Sequence, residues 1–259
     1  MGGEDKIRLG GMALANGVLV HGPTSWACAI RDDDGKLKVR SARKRFRAAQ
    51  VEQPLLRGPA RLIEALAVIP EVRRALPEAK LPFQRPVVLA SMLASATVVK
   101  LARDSGRLGP AAQELVAGVL SVAPAALALR SSELAAYHGA EHISIGSYEH
   151  GEQRSKEHER CGSHLLGPLL ATTAVANTLA THAPAHLRRP ARVTAQLGAL
   201  AASTEIFGWM VRNPEKRLAR ALAKPGHELQ HRFATAEPTA DQVAVAEAAL
   251  EACLALENA

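Results

Sequence analysis

Five consecutive residues, His138-Gly-Ala-Glu141-His142, carry the clearest chemistry in the chain. They read as H-x-x-E-H, the reverse of the commoner zinc signature H-E-x-x-H. On a helix, four residues rise about 6 Å and return to nearly the same face, so both imidazoles reach one metal ion. Glu141 then stands beside them, where a carboxylate acts as a base toward water or joins as a ligand. The bland alternative is a helix with two solvated histidines, since the chain has 10 histidines in 259 residues. A second match, His227-Glu228-Leu-Gln-His231, is H-E-x-x-H as written. Pro225-Gly226 precede it and Glu237-Pro238 follow closely, so a short polar turn or strand with exposed histidines is expected there as readily as a helix.

Zinc and iron sites need a third protein ligand, with other positions open to water or substrate. Glu149, His158, Cys161 and Glu205 are the candidates. Glu149 follows His142 by about 10.5 Å of helical rise, so it shares an ion only if Gly146 breaks the helix. Glu205 lies in the apolar stretch from Leu197 to Val211, where an unpaired carboxylate is costly and a metal, an Arg or a protonated His offsets the cost. His158 and Cys161 have spacing for chelation on one helix, and Arg160 between them suits a carboxylate or phosphate. Cys161 alternatively serves as a nucleophile with His158 or His164 as base, or as a buried structural cysteine. The expectation is therefore a divalent metal, zinc or iron, on His138 and His142 with Glu205 or Glu149 as third ligand. His158, His227 and His231 are further ligand candidates. Glu141, Cys161 and Arg160 are the catalytic candidates, acting on a small-molecule substrate. The chemistry is hydrolysis at an amide, ester or other polar carbon; non-haem redox chemistry is the alternative, and a non-catalytic membrane-associated scaffold is the competing class.

The elements that must position these residues are mostly helical. Aromatics are 3% of the chain, so the core is built of Ala, Leu and Val, which favours packed helices. Helical patterns cover Arg61 to Ile69, Pro86 to Arg103, Pro110 to Leu129, Ser132 to Ile145, Ser163 to Thr181, Pro190 to Arg212 and Ala240 to Leu256, the last with Thr239 as N-cap. Ahead of them a glycine-punctuated extended segment leads to Trp26–Arg31, an acidic turn at Asp32–Gly35 and Lys36–Val39, which reads as a hairpin. The fold class is mainly α, a bundle-like helical core with a small N-terminal β-hairpin element. It is read as a single domain over 1–259, with the β element in 1–50 and the helical core in 55–259.

The net charge is +7, but the densest basic run, Lys36 to Arg47, has one aromatic and no nucleic-acid signature. No nucleic-acid partner is expected, and the run reads as a solvated strand end and loop. Three widely spaced cysteines and a polar N-terminus point to a reducing, cytoplasmic setting. Four apolar stretches, Val87–Val99, Leu115–Leu129, Leu165–Ala180 and Val193–Val211, are short or interrupted by polar residues. They read as buried helices of a soluble core, with membrane association as the alternative. Homo-oligomerisation stays open.

The order of motifs resembles the bacterial YqhQ family, an uncharacterised group described as predicted metal-dependent enzymes. The resemblance is carried by Gly10-Gly-Met-Ala, Asn16-Gly-Val, His21-Gly-Pro, Leu56-Arg-Gly58, Tyr137-His-Gly-Ala-Glu-His142, Tyr148-Glu149, His158-Glu-Arg-Cys-Gly162, Thr204-Glu-Ile206, Leu229-Gln230, Glu237-Pro, Asp241-Gln and Val245-Ala. It implies a metal-dependent activity with no substrate attached, and membrane proteins of several spans. The chain departs from the family at Asn16, usually acidic, at His21, usually Arg or Lys, and at His227-Glu228, usually apolar. H-E-L-Q-H is thus a peculiarity of this chain.

Overall fold

The glycine-punctuated segment folds as four antiparallel strands rather than one hairpin. They are β1 (Gly10–Leu14), β2 (Gly17–His21), β3 (Ser25–Arg31) and β4 (Leu37–Arg43), in the order β1-β2-β3-β4. The computed structural model describes residues 6–48, 50–129 and 132–259. Side-chain alternation gives the sheet two apolar faces. Leu9, Ala13, Val18, Val20, Ala27 and Ala29 join one core cluster, whereas Leu14, Leu19, Trp26, Cys28 and Ile30 join another. A sheet apolar on both sides needs a helix layer on each. The first face takes α4 (Ser132–His150) and α8 (Ala240–Glu257), and the second takes Val68 and Val72 of α1 (Arg57–Ala75). The β element therefore lies in the core of a mainly α protein.

The expected hairpin is β3–β4, and its charged second strand is mostly solvated as the basic run suggested. Lys44, just past it, is an exception: its ammonium is buried 3.4 Å from the Glu64 carboxylate. The remaining helices are α2 (Pro86–Asp104), α3 (Pro110–Leu129), α5 (Leu166–Thr181), α6 (Arg188–Arg212) and α7 (Arg217–Leu229). Thr239 caps α8 with a reciprocal Thr239–Gln242 box. The segment 227–231 is neither turn nor strand: α7 runs through Pro225 to Leu229 and passes into a π-helical turn at Gln230–Ala234.

Helices α2 and α3 pack as one hairpin, and α5 and α6 as another. The expectation of buried helices fails for α2. It is long and apolar enough to cross a membrane, yet only 6% of its apolar window is buried. Leu93 and Leu101 on α2, Leu179 on α5 and Leu197 on α6 are all exposed. Ala-rich helices paired two by two cover one face of each partner and leave the other apolar face open.

Candidate metal centre

Helix α4 is buried almost all round, because it lies between the sheet, α8 and the chain that follows the π-helical turn. Gly139 makes the last contact possible: a Cβ there would stand 2.3 Å from the Ala236 carbonyl oxygen. The Ala236 N–H donates to the Ala135 carbonyl at 2.9 Å. This docking brings the Ala234 carbonyl to His138 Nδ1 at 2.8 Å. One helical turn on, His142 Nδ1 lies 2.6 Å from the Lys156 carbonyl.

A carbonyl oxygen only accepts, so Nδ1 carries the proton on both rings and Nε2 presents a lone pair. Metal-binding histidines are held in this way, with the outer nitrogen donating to the main chain. The two Nε2 atoms converge with Cys161 Sγ, all three within 4.8 Å of one another. His138 Nε2 lies 3.6 Å from the sulfur. Tetrahedral zinc with Zn–N of about 2.0 Å and Zn–S of about 2.3 Å separates such a nitrogen and sulfur by about 3.5 Å. His142 Nε2 is buried and has no well-formed hydrogen bond among the described residues. Burial lowers the His142 pKa, and the neighbouring Cys161 partly offsets that. A neutral, fixed, unpartnered imidazole beside a thiol is a donor set that fits zinc.

Cys161 reaches the pair from a loop and not from a helix. Residues 151–161 make no helix, and a short 3-10 turn, Gly162–Leu165, leads from Cys161 into α5. Gln230, fully buried in the π-helical turn, fixes this loop. Its Oε1 accepts from His158 N–H at 3.0 Å, and its Nε2 donates to Ser163 Oγ at 2.8 Å and His164 Nδ1 at 3.0 Å. π-Helical turns are rare and frequent at functional sites. Here one such turn supplies both Gln230 and the Ala234 carbonyl, a role that the sequence reading missed.

Helix α4 continues unbroken through Gly146, so Glu149 does not turn back to the histidine pair. It binds His158 Nε2 at 3.1 Å and Arg160 Nη1 at 2.6 Å instead. Burial acts to raise the Glu149 pKa, but the His158 hydrogen bond and the Arg160 charge outweigh it and hold the group below the usual range. As a carboxylate, Glu149 accepts a hydrogen bond from His158 Nε2–H. The His158 ring lies 5.6 Å from that of His142, so Glu149 and Arg160 anchor the wall behind the cluster.

Glu141 stands beside the cluster, its Oε2 4.0 Å from His138 Nε2. Burial raises its pKa, while His138 and His158 oppose the rise. Burial therefore favours the protonated form of this carboxyl. Glu141, His138, His142, His158, Arg160 and Cys161 form the polar end of a cavity of about 590 Å³. Phe83, Val88, Met92, Leu129 and Leu134 give it an apolar wall, and β1 and His21 line another side.

The other candidates lie apart. Glu205 on α6 is paired with Arg57 and accepts from the Leu55 N–H at 3.1 Å. Its ion pair holds its pKa below the usual range. Gly58 lies against Thr204, so the Leu56-Arg-Gly58 and Thr204-Glu-Ile206 blocks form one structural joint. His227 and His231 are exposed and share Glu157, with His231 Nδ1 2.7 Å from its carboxylate. The two histidine motifs do not merge into one ligand set.

No curated protein and no solved structure matches the chain. Residues 129–256 match the family model described as Protein of unknown function (DUF1385). That region holds every side chain of the cluster and its support, from His138 to Ala234, while β1, α1 and α2 lie outside it. The match over residues 129–256 is consistent with the chain's resemblance to the YqhQ family.

Proposed function

We propose that this protein is a zinc-dependent hydrolase in which His138, His142 and Cys161 hold the ion and Glu141 is the base. The observation that carries the reading is the convergence of two Nε2 lone pairs and one sulfur at the polar end of a cavity. A sulfur donor favours zinc over the hard oxygen-seeking metals, and three protein ligands leave a position for water or substrate. When bound, zinc polarises a carbonyl and brings the pKa of its water to about 7. Glu141 takes the proton of the attacking water and returns it to the leaving group. Arg160, paired with Glu149, lines the cavity beside the cluster.

The 3.6 Å contact between Cys161 Sγ and His138 Nε2 also supports a second reading, a cysteine nucleophile with His138 as its base. The test is metal analysis of the purified chain beside His142→Ala, with iodoacetamide alkylation of Cys161 followed in parallel. One equivalent of zinc, lost in His142→Ala and protecting Cys161 from alkylation, supports the zinc enzyme. A zinc-free chain whose Cys161 alkylates rapidly at neutral pH supports the nucleophile.

The exposed apolar faces of the two hairpins favour a membrane-associated location over the freely soluble one expected from composition. A helix as open as α2 is stable in water only if something covers it.

A further inference from the structure

Strand β1 is an edge of the sheet, paired among the described residues with β2 alone. Its loop to β2 has two residues, Ala15 and Asn16, so Leu14 and Gly17 form the closing hydrogen-bonded pair. Alternation along an antiparallel ladder then turns the N–H and C=O of Gly10, Met12 and Leu14 toward β2. Those of Gly11 and Ala13 point outward, and among the described residues they take no main-chain partner. The Lys80 carbonyl accepts the Ala15 N–H at 2.9 Å, which closes the edge just past Leu14.

The open stretch is the part of β1 that lines the cavity, from Gly10 to Ala13. Gly11 lies directly against Glu141: a Cβ there would stand 2.3 Å from Glu141 Oε1. The apolar side chains Phe83, Val88 and Met92 line the same cavity. The cavity thus has a wall of free main-chain donors and acceptors, an apolar wall, and the metal-ligating cluster at one end. A hydrocarbon tail would leave the Gly11 and Ala13 groups buried without partners, at a cost of a few kcal/mol. An extended peptide satisfies them.

We infer that β1 binds an extended peptide segment as a fifth strand, paired through Gly11 and Ala13, with alternate apolar side chains against Phe83, Val88 and Met92. Strand addition of this kind takes affinity from main-chain hydrogen bonds and selectivity from side-chain pockets. The hydrolytic consequence rests on the zinc-hydrolase reading above. One peptide bond of the segment lies at the cluster and is cut. The water oxygen bonds to the acyl carbon, the C–N bond breaks, and the proton taken by Glu141 passes to the leaving amine.

The test uses the full chain, zinc-loaded and immobilised, with a randomised hexapeptide pool. Retained peptides are identified by mass spectrometry, then labelled and titrated by fluorescence anisotropy. Ala13→Pro removes one outward N–H and leaves the β2 ladder intact, as proline on an edge strand does. It is expected to weaken binding by about tenfold or more with circular dichroism and zinc content unchanged. N-methylation of alternate amides in a retained peptide is expected to weaken binding to the wild-type chain equally, which decides the matter if Ala13→Pro fails to fold. No retention above the Ala13→Pro control, indifference to N-methylation, or tight binding of a lysophospholipid with no peptide retained overturns the inference. Peptide bound but never cut leaves the docking edge standing and removes the hydrolytic reading. Cleavage of small esters with no peptide bound does the reverse.

Discussion

Glu141 shows how much one side chain's surroundings decide. Its carboxyl is buried and its pKa is raised, so the metal-free folded state holds a proton that the unfolded state has already lost. That stabilisation is present at low pH and fades as pH rises from 4.5 through the folded pKa. Metal-free Glu141→Gln is therefore expected to melt above metal-free wild type at pH 8, by roughly 2–4 °C per kcal/mol, with the gap closing toward pH 4.5. Equal melting at pH 8 would contradict the burial argument. His21 has the opposite sign. Burial first and the Lys44 charge second lower its pKa from 6.5 to about 4, so its stabilisation is present above 6.5 and lost as pH falls toward 4. The full span is worth roughly 3 kcal/mol, and His21→Asn should flatten the stability profile across that window in urea titrations. The H-x-x-E-H spacing was legible in the sequence because a helix has one geometry. The Cys161 contact was not, because a loop places it, and loops follow tertiary partners that spacing does not encode.

At the scale of elements, the segment 227–234 serves the site with the face opposite to the one its motif advertises. His227 and His231 share an outer face with Glu157, while Gln230 and Ala234, also four apart, share the inner one. That second spacing was available in the sequence, but its meaning depends on packing against α4, a long-range contact that local pattern does not encode. Gln230→Ala is expected to weaken zinc binding by about 10–100-fold, the usual effect of losing an outer hydrogen-bonding partner, measured by chelator competition. His231→Ala should leave it within about twofold of wild type. Glu205→Gln is expected to cost about 1 kcal/mol of stability or less with zinc content unchanged, because its partner is Arg57. A fall in zinc content would return Glu205 to the ligand set. Seven helices and most of their ends were readable from proline and apolar periodicity, whereas α7, with Pro225 inside it, was not. The four-stranded sheet was only half readable, since the strands before Trp26 are glycine-rich and carry weak alternation.

At the scale of the molecule, a sheet-and-helix core holds the cluster, and two apolar hairpins stand out from it. Composition suggested burial for those helices, because Ala and Gly look like packing residues; pairing two by two leaves their outer faces bare. The chain expressed without detergent is expected in the membrane pellet, and Leu93→Glu with Leu101→Glu is expected to shift it toward the supernatant. Full recovery of wild type in the supernatant would contradict this location. X-ray absorption at the zinc edge of the full chain reads the ligand set directly. One sulfur at about 2.3 Å and two imidazole nitrogens at about 2.0 Å are expected, with the sulfur lost in Cys161→Ser. A zinc shell without sulfur, or one unchanged in Cys161→Ser, would contradict this ligand set.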